Sequence, residues 1–179
     1  MSDLEDWMRG RIKRLSAGDP AARATLARLR APNATLADPR LAALFEGLPL
    51  SDWELAHPEV GSDSEAAALA ALRLYSSSVQ RHAGQSDMAW SRAAALLASK
   101  GDNGAARGYT RVMRATTWNG LTRALRSLTA LMAARGMGCD FARLAADLRQ
   151  WRNLERRDAV RMAWARSWAY PPKKKETNK

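Results

Sequence analysis

The chain contains few of the residues on which most metal sites and many active sites depend. Of its 179 residues one is cysteine and two are histidine. A single thiol, Cys139, cannot form an internal disulfide or a multi-thiolate metal site, which fits a reducing compartment. His57 and His82 have no serine, cysteine or carboxylate at a spacing that would orient them as catalytic bases. The sequence therefore predicts a protein that has no metal or other cofactor and is not an enzyme.

Targeting signals and long apolar runs are also missing. The N-terminal stretch MSDLEDWMRGRIKRL is charged throughout and has no apolar segment of the kind that a secretion signal needs. No run approaches the roughly 20 apolar residues of a membrane span. Residues 101–104 (GDNG) lack the lysine and the preceding strand of a phosphate-binding loop. We expect a cytoplasmic protein that does not associate with membranes.

Acidic residues are scarce in the second half of the chain. Residues 1–86 carry 10 Lys+Arg and 11 Asp+Glu, a net charge of −1, whereas residues 87–179 carry 19 and 7, a net charge of +12. Between Asp102 and Asp140 there is no acidic residue, so the i,i+4 ion pairs of ordinary solvated helices cannot form there. The total of +11 indicates a polyanionic partner.

Helical periodicity accounts for most of the chain, and strand-like alternation is absent. Ser2 and Glu5 form a capping-box pattern that opens the first helix, and Gly18-Asp19-Pro20 ends it and starts a second helix to about Arg30. Residues 31–63, with several prolines and glycines, are the least regular part and contain a short helix around 40–45. Further helices are expected over residues 64–79, 88–99, 104–115, 117–134, 140–151 and 155–169.

The charge balance changes at the polar stretch 81–87, which we interpret as the junction between two helical lobes. This division gives an N-terminal lobe over residues 1–86, which includes the irregular loop 31–63, and a basic C-terminal bundle over residues 87–170. The basic, proline-containing tail 171–179 is expected to be disordered. The predicted fold class is therefore all-α, a two-lobed helical bundle.

Five arginines recur at helical spacing on the helices expected at 104–115 and 117–134. At 100° per residue they fall on faces opposite the apolar stripes, and a short connection makes the two helices antiparallel neighbours. The outer faces should join into one surface, called the basic face below, which consists of Arg107, Arg111, Arg114, Arg123 and Arg126. Arginine gives phosphate two parallel hydrogen bonds and stacks on bases. We therefore expect this face to contact nucleic acid.

Several short motifs in the second half have the order and spacing of one known family. They are residues 106–109 (ARGY), 112–115 (VMRA), 125–131 (LRSLTAL), 139–141 (CDF), 147–151 (DLRQW) and 163–170 (AWARSWAY). Over residues 88–170 the chain resembles CasB, the small subunit of the type I-E Cascade CRISPR surveillance complex. The N-terminal half matches more loosely, through Trp7 and residues 27–30 (ARLR).

The resemblance implies an all-α, two-lobed subunit that takes part in antiviral defence. Such a subunit is present in two copies per complex, lies along the guide RNA-bearing backbone subunits and contacts the large subunit. It supports R-loop formation by holding the target and displaced DNA strands. Arg107, Arg114 and Arg126 stand at positions that match the family pattern, whereas the other two arginines of the basic face rest on helical geometry. Arg30, where the family often has two adjacent arginines, is a further candidate contact, although Ala31 follows it here.

Two alternatives remain open from the sequence. Ala134, Gly138 and Leu144 fit a loose helix-turn-helix spacing, which would make residues 140–151 a recognition helix and leave mainly Arg143, Arg149 and Arg152 exposed. The first two of these arginines complete the candidate nucleic-acid contacts. Alternatively, the protein is a helical scaffold subunit whose basic face meets acidic protein.

Overall fold

The computed structural model describes residues 2–81 and 83–170, and this part of the chain contains helices and connecting segments without any strand. The all-α fold class is thereby confirmed. The expected disordered tail, residues 171–179, lies outside the described residues. In chain order the α-helices of the described part are α1 Asp3–Leu15, α2 Pro20–Arg30, α3 Pro39–Ala42, α4 Asp52–Ala56, α5 Asp63–Val79, α6 Trp90–Ser99, α7 Asn103–Arg114, α8 Trp118–Ala134, α9 Phe141–Arg152 and α10 Leu154–Ala169.

Side-chain caps begin most of the long helices. The Ser2 hydroxyl accepts a hydrogen bond from the Glu5 N–H at 3.3 Å, and the Asp19 carboxylate accepts one from the Ala22 N–H at 2.7 Å. Each cap satisfies one of the free N–H groups of a first helical turn. Every expected helix is present, with differences at the ends: α1 ends at Leu15, and α6 begins at Trp90, two residues later than predicted.

The sequence analysis missed α4, which lies inside the irregular stretch 31–63. Ser51 caps this short helix in a complete capping box with Glu54. The Glu54 carboxylate is buried and also accepts hydrogen bonds from the Ser62 hydroxyl and from both the N–H and the hydroxyl of Ser64. Burial alone would raise the pKa of Glu54, but these hydrogen bonds together outweigh it and lower the pKa to about 2. One carboxylate thus connects α4 to the start of α5.

We predict that Glu54→Gln destabilises the protein at pH 7 by about 2 kcal/mol. The glutamine side chain has an NH2 group in place of one carboxylate oxygen, and this donor would face the N–H and hydroxyl donors that now surround Glu54. A carboxylate with a lowered pKa stabilises the fold above its ordinary pKa near 4.5 and loses that effect as the pH falls toward 2. Urea unfolding of both proteins should therefore give a smaller difference at pH 3 than at pH 7. An equal difference at both pH values would contradict this role.

Helix α9 lies at the centre of the fold. It packs against α1, α5 and α10, while α7 packs against α6 and α8, and α5 also contacts α2 and α8. The side chains of Phe141, Leu144, Leu148 and Trp151 are buried in one core that includes residues from both sides of position 86. The division into two lobes at that position stays a prediction.

The segment between α5 and α6 runs beside the segment that precedes α9. The Ser86 N–H donates to the Cys139 carbonyl at 3.1 Å, and the Asp140 N–H donates to the Met88 carbonyl at 2.7 Å. Cys139 is fully buried here, and this burial, together with the nearby charge of Asp140, raises the pKa of its thiol. The two segments approach so closely that a Cβ atom on Gly138 would overlap the Gly84 carbonyl oxygen.

The Asp140 carboxylate holds three parts of the chain together. It accepts hydrogen bonds from the Arg9 guanidinium at 2.8 Å, from the Gln85 side-chain amide at 2.8 Å and from the Arg143 N–H at 3.0 Å. The Gln85 carbonyl oxygen in turn accepts from the Phe141 N–H at 2.9 Å. Asp140 therefore caps α9 and joins its start to α1 and to the segment before α6.

We predict that Gly138→Ala destabilises the protein by more than about 1 kcal/mol, since the added methyl group forces two backbone segments apart. Gly10→Ala is the matched control, because Gly10 is exposed on α1 and a Cβ there would meet no atom within 4 Å. That change should stabilise the protein by about 0.5–1 kcal/mol. Urea unfolding distinguishes the two; equal stability of Gly138→Ala and wild type would contradict the close approach.

Candidate nucleic-acid interface

Helices α7 and α8 pack side by side because glycine lies at their contact. A Cβ atom on Gly108 would stand 3.0 Å from the Leu128 Cδ1 atom, and one on Gly104 would stand 3.1 Å from the Leu131 Cδ2 atom. These two contacts set an antiparallel register, in which residue 104 faces 131 and residue 108 faces 128. The same register places Arg111 beside the turn of α8 that carries Arg123.

All five arginines of the basic face are exposed. The apolar stripes behind them are buried, as shown by Tyr109 and Val112 on α7 and by Leu121 and Leu125 on α8. Within residues 2–81 and 83–170, none of the five guanidinium groups takes part in an ion pair. The predicted orientation of the two helices is therefore observed, and the positive charge of this face is not neutralised by the described part of the protein.

Two clefts adjoin the basic face. Near the start of α7, a cleft of about 640 Å³ brings Arg107 together with Lys100 and Arg135, and Arg135 pairs with Asp102 at 3.2 Å. On the side of α8 that faces α5, Arg126 lines a groove of about 320 Å³, called the α5–α8 groove below. Its lining includes Leu69, Ala70, Arg73 and Leu74 of α5 and Trp118, Asn119, Thr122 and Arg126 of α8.

The remaining candidate contacts do not join the basic face. Arg143 is exposed in a cleft with Arg92, near the start of α6. Arg149 is half-buried in a different cleft, and Arg30 is half-buried at the end of α2. The structure therefore groups the five arginines of α7 and α8 and leaves these three apart.

The position of α9 argues against the helix-turn-helix alternative. The proposed recognition helix corresponds to α9, which is covered by α1, α5 and α10. Seven of its twelve residues are buried. A recognition helix must present a whole face to the major groove, and α9 would have to leave the core to do so.

Comparison with known proteins places the chain in a family. The family model of the CRISPR-associated protein Cse2 matches residues 22–168. The chain belongs to the Cse2 family. This result confirms the resemblance to CasB that the sequence motifs indicated. No curated protein sequence matches the chain.

Solved Cse2 structures have the same fold. The crystal structure of CasB from Thermobifida fusca is 26% identical in sequence, with a TM-score of 0.73 over 95% of this chain and 99% of that one. CasB from Thermus thermophilus is 27% identical with a TM-score of 0.64, and a further Thermus thermophilus structure, of a CRISPR-associated Cse2-family protein, is 25% identical with a TM-score of 0.65. Both comparisons cover 94% of this chain and 99% of the other.

Among the described residues of this Cse2-family chain, no helix has the length and apolar character needed to cross a membrane.

A second group of arginines in this Cse2-family chain binds the protein's own backbone. The Arg161 guanidinium donates to the Ala115 carbonyl at 2.5 Å. Arg157 donates to the Thr116 carbonyl at 3.3 Å, and its guanidinium carbon lies 4.0 Å from the centroid of the Trp151 ring. Both side chains start on α10 and satisfy carbonyls at the connection between α7 and α8. No local sequence pattern identifies these pairs, because each joins residues that are far apart in the chain.

We predict that Arg161→Ala destabilises the protein by about 1–2 kcal/mol, since it leaves the Ala115 carbonyl without its charged donor. Arg111→Ala is the control; it removes an exposed arginine of the basic face and should change the stability by less than about 0.5 kcal/mol. Thermal unfolding of the two variants checks this difference. Equal loss of stability in both would contradict the separation of structural from exposed arginines.

Proposed function

We propose that this protein is the non-catalytic small subunit of a CRISPR RNA-guided DNA surveillance complex of the Cascade type. In that role it binds nucleic acid along the phosphate backbone, without sequence specificity, and stabilises the R-loop. Membership in the Cse2 family supports the placement in such a complex. The observation that carries the binding role is the basic face: five exposed arginines on two adjacent helices, with no acidic partner in the described residues.

The geometry of the basic face favours phosphates over base edges as its ligands. Its arginines project from the outer faces of two helices that pack side by side, so the charge is spread over a surface and does not follow one helix. Contacts to phosphate position a protein on nucleic acid but do not read its sequence. A surface of this kind suits guide RNA and the target and displaced DNA strands, all of which expose a sugar-phosphate backbone in an R-loop.

The proposed partners follow from the same placement. We expect contacts with the large subunit, with the guide RNA-bearing backbone subunits and with a second copy of this chain. Large exposed apolar side chains support protein contacts outside the basic face; they are Trp53, Leu55, Val60, Leu154, Met162 and Tyr170.

We predict salt-sensitive binding of unrelated single-stranded DNA. Five engaged arginines correspond to a slope of about −3.5 for log affinity against log salt, at about 0.7 per phosphate. The triple variant Arg107→Gln, Arg111→Gln, Arg114→Gln leaves two engaged arginines and should reduce the slope to about −1.4. Fluorescence anisotropy with a labelled oligonucleotide, titrated with salt, measures both slopes.

The control is a second triple variant with the same loss of charge. Arg14, Arg23 and Arg40 are exposed on the first three helices and form no ion pair within the described ranges. Changing all three to glutamine should leave the slope near the wild-type value. If both triple variants lowered the slope equally, net charge and not the basic face would account for binding.

Assembly with partner subunits separates this proposal from the scaffold alternative. Charge reversal at Arg111, Arg114 and Arg126 should leave the complex intact but reduce the yield of opened target DNA. Unchanged R-loop yield, or loss of the subunit from the complex, would favour a basic face that meets acidic protein.

A further inference from the structure

The α5–α8 groove combines positive charge with an aromatic ring. Arg73 and Arg126 are on opposite sides of it, contributed by α5 and α8 respectively. The partly exposed indole of Trp118 also lines it, together with the apolar side chains of Leu69 and Ala70. Its volume of about 320 Å³ is at the lower end of the range for small-molecule sites.

The two guanidinium groups of the groove repel each other. Among the residues that the structure describes, no carboxylate lines the groove. Hydrogen bonds to the Ala31 and Pro32 carbonyls, at 3.0 and 3.3 Å, hold the Arg73 guanidinium in this position. Burial and, after it, the charge of Arg126 both lower the pKa of Arg73. An anion between the two arginines would relieve this repulsion.

The rest of the groove suits a flat, mostly apolar group with a polar edge. The Trp118 ring is held by the Arg152 guanidinium, whose central carbon lies 5.0 Å from the ring centroid, and by the neighbouring ring of Trp151. An indole fixed in this way can receive a base at little entropic cost. Asn119, whose side chain forms no hydrogen bond within the described residues, lies on the same wall and can meet a base edge.

We infer that the α5–α8 groove binds one unstacked nucleotide, with its phosphate between Arg73 and Arg126 and its base against Trp118. This inference rests on the proposed function, because Arg126 belongs to both the groove and the basic face. A single strand that crosses the basic face toward α5 reaches the groove beside Arg126. The protein would then hold the strand at one defined nucleotide as well as along its phosphates.

The test compares two oligonucleotides of equal length and charge, one of thymidines and one in which every base is missing. Both are titrated into the full-length protein by fluorescence anisotropy at the same salt concentration. The basic face treats them alike because they have the same phosphates. The groove adds the stacking of a base, so the thymidine oligonucleotide should bind at least about fivefold tighter.

Two variants remove the groove in different ways. Ala70→Leu fills it and keeps Trp118 with its contacts, and Trp118→Leu removes the ring. Both should remove the preference, so that the two oligonucleotides bind the variant equally tightly. The matched controls are Ala24→Leu, on the exposed face of α2, and Trp53→Leu, at an exposed tryptophan outside the groove; both should keep the wild-type preference.

The outcomes distinguish the two proposals. Equal affinity of the wild-type protein for both oligonucleotides would overturn the groove inference and leave phosphate binding standing. A base preference that survives in both Ala70→Leu and Trp118→Leu would place the base elsewhere and also overturn it. Failure to bind either oligonucleotide at low salt would contradict nucleic-acid binding by the free protein, and the groove inference with it.

Discussion

The buried carboxylate of Asp140 accepts hydrogen bonds from α1, from the segment before α6 and from the first turn of α9. Its contact with Arg9 joins residues 131 positions apart in the chain. Because α9 is the helix on which α1, α5 and α10 pack, its position determines where the others can lie. Helices α7 and α8, which carry the basic face, pack in turn against α6 and α5. The positions of the exposed arginines on α7 and α8 thus depend on the buried, hydrogen-bonded carboxylate of Asp140.

The arginines of this protein have two distinct tasks. Arg157 and Arg161 donate to backbone carbonyls at the connection between α7 and α8, and Arg73 donates to the Ala31 carbonyl in the segment after α2. The arginines of the basic face have no such partner in the described chain and face outward. The first group supports the second by fixing the backbone of the helices. Less conformational freedom of the backbone is then lost when the exposed arginines bind phosphate. Some of the arginines behind the net charge of +11 therefore serve the fold. The net charge alone overstates how many positive side chains are free to contact a polyanion.

Helical periodicity was sufficient to predict the helices of ten or more residues, because each buries a stripe at a regular spacing. It failed for α4, whose five residues are too few to show a period, although Ser51 and Glu54 formed a recognisable capping box. The exposure of the basic face was predictable for the same reason as the helices. The backbone-binding role of Arg161 and the meeting of Arg73 with Arg126 were not, because each depends on which helices become neighbours. Local patterns thus identify the charged face, and tertiary packing decides which of the arginines remain available.

The burial of Cys139 has a practical consequence. Its side chain is inaccessible to solvent, and its raised pKa keeps the sulfur protonated at neutral pH. Maleimides react with exposed thiolates, so the native protein should resist them as it stands. A single cysteine introduced on the outer face of α7 or α8 would then be the one reactive thiol of the folded chain. Fluorophores attached there could report the distance to a labelled strand without any need to replace the native residue.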